Sequence, residues 1–236
     1  MATKLKLVLQ NPKLRLAFKA LAFAGLIILL RFQNFNLVSI ALFAAGAIFL
    51  YIKPLFRTFE LLLPFAVLAV VALLITNLIA WGVYFWIAVI YFTALFFILL
   101  GIKDLVVVRR EFWRRFLNLA LIYPVFLLFF FQNETSYGIK ILLLFLALLI
   151  LLKELLKKRL PTWVLALFLI EGVWAIALLP LGFISAANLA VLTYWTLTEF
   201  AINYQTGLLT RHRVLTHATI FVVLLVLIFA FSKWSL

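Results

Sequence analysis

Nine long apolar runs follow one another with only short polar breaks between them. They lie at roughly Phe18 to Leu30, Leu37 to Ile52, Leu61 to Ile79, Val83 to Leu100, Phe116 to Phe131, Ile139 to Leu152, Trp163 to Leu179, Ala187 to Leu208 and Val214 to Phe231. Backbone polar groups inside a hydrocarbon layer must be bonded within the structure that spans it, which leaves helices or a closed barrel. The runs lack the two-residue alternation of a barrel strand, so they predict helices. A span needs about 20 mainly apolar residues, and nine of them consume most of the 236 positions. Hydrophobic residues make up 69% of the chain and charged residues 12%, a balance outside that of soluble domains. The expected fold is all-α: a polytopic integral membrane helical bundle of about nine transmembrane helices in consecutive hairpins. A single transmembrane domain would cover 1–236, with helices one to six (1–160) as scaffold and helices seven to nine (161–236) carrying the polar residues.

The basic residues give that bundle a direction. Lys4, Lys6, Lys13, Arg15 and Lys19 precede the first run, and Lys53 and Arg57 follow the second. Lys103, Arg109, Arg110, Arg114 and Arg115 follow the fourth, Lys153, Lys157, Lys158 and Arg159 the sixth, and Arg211 and Arg213 the eighth. Eighteen basic residues thus fall on one side, against Arg31, Lys140 and Lys233 on the other. Cytoplasmic connections carry the excess of Lys and Arg, so the N-terminus is expected inside and the C-terminus outside. The start of the chain imitates a signal peptide, but Arg31, Phe32, Gln33 and Asn34 stand where a small-residue cleavage site would be, and it reads as an uncleaved first helix. The expected location is a prokaryotic cytoplasmic membrane.

Within this apolar background the polar exceptions carry the information. Glu171 falls mid-way along the seventh run, where an acidic residue costs about 2.5 to 3.5 kcal/mol on insertion scales. At that depth the neutral acid is favoured over the carboxylate. Glu199 lies near the middle of the eighth run. The two runs are joined by a tight turn, so the carboxyls are expected at similar depth, where facing side chains would share one proton. At about 100° per residue, Asn188, Trp195, Glu199, Asn203, Thr206 and Thr210 share an arc of roughly 80°, a polar stripe along one helix. Glu171, Glu199, Asn188, Asn203 and Thr206 are the candidate binding or proton site. Arg211, Arg213 and His217 at the inner end are candidate headgroup or phosphate contacts, with Arg213 and His217 one turn apart. The competing reading is that the amides and hydroxyls only hold helices together, at around 0.6 kcal/mol each.

Other features are assigned to packing or to the membrane surface. Ala41, Ala45 and Gly46 form a small-residue face that would let a neighbour approach, and Pro124 interrupts the fifth run. Glu60 opens the third run where a carboxylate favours the helix dipole, and Asp104 and Glu154 read as solvated ends. VVVRREFWRRF reads as an interfacial turn on anionic lipid headgroups, and no nucleic-acid partner is expected. The segment RHRVLTH resembles, over seven residues, a motif of membrane-bound metal-dependent hydrolases. The acidic partners of that motif are not recognisable here, and no metal or cofactor is expected. Nor does the chain carry a Walker A, GxSxG, HExxH or dinucleotide-binding signature.

Three functions remain. The first is a carrier or flippase-like transporter with an intramembrane protonatable carboxylate site. The second is a membrane-embedded enzyme acting on a lipid-linked or phosphorylated substrate at the cytoplasmic face. The third is a non-catalytic membrane subunit or assembly factor. Membrane lipids are the expected partners, with a membrane-protein partner or a homo-oligomer beside them.

Overall fold

The computed structural model describes residues 12–53, 61–131, 136–156 and 158–232. Lys4, Lys6, Arg57, Glu60, Lys157, Lys233 and Trp234 lie outside the described residues. Among those described, the chain is all-helical and without strands. Its nine helices are α1 (Pro12–Phe32), α2 (Leu37–Ile52), α3 (Leu62–Leu78), α4 (Val83–Lys103), α5 (Arg110–Phe130), α6 (Tyr137–Leu156), α7 (Arg159–Ala177), α8 (Phe183–Gln205) and α9 (Arg211–Phe231). By length and composition α4, α5, α7 and α9 can each cross a membrane. Several helices begin before the apolar run that predicts them, α5 by six residues. Arg and Glu are good helix formers, so the helix continues through charged turns that hydropathy excludes.

Two compact units divide the chain, Met1–Leu121 and Ile122–Leu236. In the first, α1 packs against α2, α3 and α4, and α4 also packs against α3. Leu16, Ala20, Phe23, Ile27 and Leu30 form the buried stripe of α1, at the three-and-four spacing that keeps one face inward. Phe23 stacks on Phe96 of α4 with ring centroids 4.3 Å apart, and Tyr51 of α2 on Phe65 of α3 at 4.4 Å. Helix α2 starts where the Asn36 side chain accepts from the Ser39 N–H at 2.7 Å, a cap for an otherwise unsatisfied donor. Its buried face is Ser39, Phe43, Ala47 and Tyr51. Of the small-residue face, Ala41 and Ala45 are exposed and lie off the buried face, while a Cβ on Gly46 would meet the Leu26 side chain.

Helix α5 runs unbroken through Pro124. Proline has no N–H, so the carbonyl four residues earlier, at Ala120, loses its helical donor. The Tyr91 hydroxyl of α4 donates to that carbonyl at 2.6 Å. A tyrosine on the neighbouring helix thus fills the gap that the proline makes.

The second unit is built from α6 to α9. Helix α7 packs against α6 and α8, α6 also meets α8, and α9 packs on α8. Thr162, Ala166, Leu169, Val173 and Ile176 form the buried face of α7. No residue of α9 is buried. The α8–α9 connection turns at Gly207, whose φ of 68° is the left-handed conformation that glycine adopts without strain. There Leu208 N–H bonds back to Asn203 O at 2.9 Å and Gly207 N–H to Tyr204 O at 3.2 Å, the Schellman closure of a helix C-terminus. Thr210 then caps α9, its hydroxyl accepting from Arg213 N–H.

Candidate functional site

Two residues of the polar stripe on α8, Trp195 and Asn203, meet α9. Asn203, 8% exposed, accepts through Oδ1 from Arg213 Nη1 at 3.2 Å. One turn further along α9, the His217 ring meets Trp195 at 5.6 Å and Phe200 at 5.9 Å between centroids, both edge-on. Glu199 is half-buried and lies one turn from Trp195 and one from Asn203, so helical periodicity turns it to the same side of α8. The connection places these groups together: the Gly207 turn and the Thr210 cap bring the first two turns of α9 back along the last turns of α8.

Arg213 is held by one of its N–H groups, which leaves the other donors of the guanidinium fork for an anion. The Nδ1 atom of His217 is buried without a hydrogen-bond partner, and an unpaired buried polar atom costs about 1 to 3 kcal/mol. Such an atom is the exception in folded proteins. An imidazole with an uncommitted nitrogen one helical turn from an anchored guanidinium can exchange a proton with a group that the guanidinium binds. Thr206 is less available, because its hydroxyl donates to Ile202 O at 3.0 Å and to Asn203 O at 3.2 Å. Asn188 and Arg211 are exposed at opposite ends of this region. Phe200 is a contact that sequence periodicity did not select, since apolar side chains are the background of every helix here.

Glu171 is on a different surface. Its side chain is exposed, and the buried residues of α7 lie on the opposite side of the helix. Gly172, not Glu171, is the residue turned to α8: a Cβ there would stand 3.9 Å from Thr193 Cγ2. Glu199 lies six residues beyond Thr193, about 9 Å further along the axis at 1.5 Å per residue. Among the described residues no group of three or more His, Cys, Asp or Glu could hold a metal ion.

A second charged cluster, in the first unit, was not singled out by sequence. Lys103 is fully buried; its Nζ donates to the Tyr51 carbonyl and stands 4.6 Å from the centre of the Tyr51 ring. Lys19 Nζ donates to the Lys53 carbonyl. Asp104 is not a solvated end: its Oδ1 is buried without a hydrogen-bond partner. Burial pushes the Asp104 carboxyl above the usual carboxylate range, against the pull of Lys19, Lys103 and Arg15. Lys103 and Asp104 are adjacent in the sequence, but nothing local says that the lysine turns inward.

No protein-family model matches the chain, and no curated protein or solved structure matches it.

Proposed function

We propose that this chain is an integral protein of a prokaryotic cytoplasmic membrane, with nine spans, N-terminus in and C-terminus out. On this reading it acts on a lipid-linked or phosphorylated substrate at the cytoplasmic ends of α8 and α9. The observation that carries the proposal is the Arg213 guanidinium held by Asn203 one turn from the unpaired His217 Nδ1. Arg213 would bind phosphate, and His217 or Glu199 would exchange the proton. Arg211, at the first residue of α9, would add attraction for the anion at the headgroup level. Apolar composition and the four long apolar helices support the membrane location.

Binding of phosphatidic acid, compared with uncharged diacylglycerol, to the protein in nanodiscs tests this. A charge-assisted hydrogen bond contributes about 1.5 to 3 kcal/mol, so Arg213→Ala should weaken phosphatidic acid binding by roughly ten- to a hundredfold. Asn203→Ala should weaken it less. Wild-type affinity in Arg213→Ala, or equal binding of the two lipids, would sink the proposal.

A proton-coupled carrier is the second reading, favoured by the half-buried Glu199 one turn from each of Trp195 and Asn203. The outward position of Glu171 weighs against a two-carboxylate site, so this reading rests on Glu199 alone. Glu199→Gln would then abolish proton-dependent transport while Arg213→Ala leaves it.

A further inference from the structure

Helix α5 is exposed only at its start. From Leu117 to Phe130 every residue is buried or half-buried, whereas Phe112 is 61% and Phe116 43% exposed, and Val108, just before the helix, is 84% exposed. Residues 109–115 hold four arginines and one acid, Glu111, so these apolar side chains stand among guanidinium groups. The structure divides the arginines into two pairs. Arg110 is half-buried and donates through Nε and Nη2 to Ile102 O at 3.3 and 2.8 Å, across the turn to the end of α4. Arg114 is also half-buried, on the side of the helix that carries the buried Leu117, Asn118 and Leu121. Arg109 and Arg115 are exposed. Phe112 and Phe116, one turn apart, each meet the Trp113 ring edge-on at 5.6 and 5.7 Å, and Arg115 lies beside them on the helix. Arg109 has a φ of 66°, a left-handed conformation that glycine adopts without strain and arginine does not. Strain of this kind clusters at ligand clamps and switch regions.

Exposed aromatic rings are poorly placed in bulk water, and arginines are poorly placed in hydrocarbon. The layer that suits both is the headgroup zone, where rings settle at the acyl boundary and basic side chains reach lipid phosphates. The inference rests on the membrane reading, which puts this end of α5 at the cytoplasmic surface, but not on the α8–α9 site. We propose that the turn before α5 and the first two turns of the helix bind the headgroup of an anionic phospholipid, phosphatidylglycerol. Arg109 and Arg115 hold its phosphate, and Phe112 and Phe116 lie against the start of its acyl chains. A guanidinium carries several N–H donors in a planar fork that matches two phosphate oxygens. Phosphatidylcholine has the same phosphate, but the arginines repel its quaternary ammonium group, so the patch selects the lipid with a net negative headgroup.

The chain has no cysteine, so a single one can be placed at Val108 and labelled with a fluorophore. A second reporter at Val83, 73% exposed at the first residue of α4, stands at the opposite end of that helix. Each labelled protein is reconstituted in phosphatidylcholine vesicles with a small fraction of phosphatidylglycerol or phosphatidylcholine spin-labelled near the headgroup, and the quenching is compared. Two arginines contributing roughly fivefold each give the label at 108 a roughly ten- to thirtyfold preference for phosphatidylglycerol, and the label at 83 none. Arg109→Gly should lower the preference about fivefold yet unfold at the wild-type midpoint or above it, because glycine relieves the left-handed strain. Arg115→Gln should lower the preference by a similar factor. Arg110→Gln should keep most of it and lower the midpoint instead, because the bonds to Ile102 O are lost. No preference at residue 108, an equal preference at residue 83, or full preference in both Arg109→Gly and Arg115→Gln would overturn the proposal. Displacement of the lipid by inorganic phosphate would overturn it too, since the patch would then take soluble anions. Alkaline extraction separates two failures: a chain released to the supernatant refutes the membrane reading, whereas a retained chain without lipid preference refutes only this site.

Discussion

Replacing Tyr91 by phenylalanine should destabilise the protein, and the loss should depend on a proline in another helix. The Tyr91 hydroxyl donates to Ala120 O at 2.6 Å, the carbonyl that Pro124 cannot serve. Tyr91→Phe leaves that carbonyl without its donor from α4. A half-buried orphan acceptor costs about 1 to 3 kcal/mol in water-soluble proteins. Interhelical bonds in a membrane bundle average about 0.6 and reach about 1.7 kcal/mol. The expected loss is therefore about 1 to 1.5 kcal/mol, close to tenfold in the folding equilibrium. In a Pro124→Ala background the N–H of residue 124 returns to Ala120 O, and removing the hydroxyl should then cost only a few tenths of a kcal/mol. Equilibrium unfolding in mixed micelles, followed by tryptophan fluorescence, gives all four corners of the cycle. The reasoning is refuted if Tyr91→Phe costs the same with proline or alanine at position 124, or costs nothing in the proline background.

Other consequences follow from single residues. Gly207 has a φ of 68° with open space around it, so Gly207→Ala should cost about 1 to 2 kcal/mol from backbone strain alone, read as a lower midpoint in the same unfolding assay. The folded-state pKa of Asp104 is raised by burial, so folding binds a proton. Its contribution to stability is full below the ordinary carboxylate value and is lost as pH rises through the raised one. Thermal unfolding between about pH 4 and pH 8 should therefore show stability falling with pH over the carboxylate range, and Asp104→Asn should remove that component; an unchanged profile would refute it. A methyl group on Gly101 would stand 2.7 Å from Val107 Cγ2, so Gly101→Ala should shift the α4–α5 corner and lower stability, whereas Gly138→Ala, with nothing near it, should not.

The helices were legible because each apolar run closes its own backbone bonds. The second run coincides with α2 at both ends, Leu37 and Ile52, and the structure shows Asn36 capping its start. The eighth helix's polar stripe was also legible, because polar residues are rare enough here for their period to stand out. Asn203 and Arg213 meet, and His217 lies one turn on from Arg213, as the spacing on α9 requires. By contrast, Ala41 and Ala45 suggest a packing face that α2 does not use, and Lys103 gives no local sign that its ammonium turns to the Tyr51 carbonyl.

Glu171 shows most directly what the sequence could not decide. Its position along α7 is a count of residues. Which way it points does not follow from that count, because α7 is apolar on nearly every side and its period carries no mark of inside or outside. The number and order of the described helices were set by sequence alone. Only the tertiary structure chose the faces: α9 against Trp195 and Asn203 of α8, Tyr91 onto the gap at Pro124, and Glu171 outward from the face that α7 buries. Helix bonds are local and close within one segment, whereas the choice of face is made by the shapes of side chains on another helix.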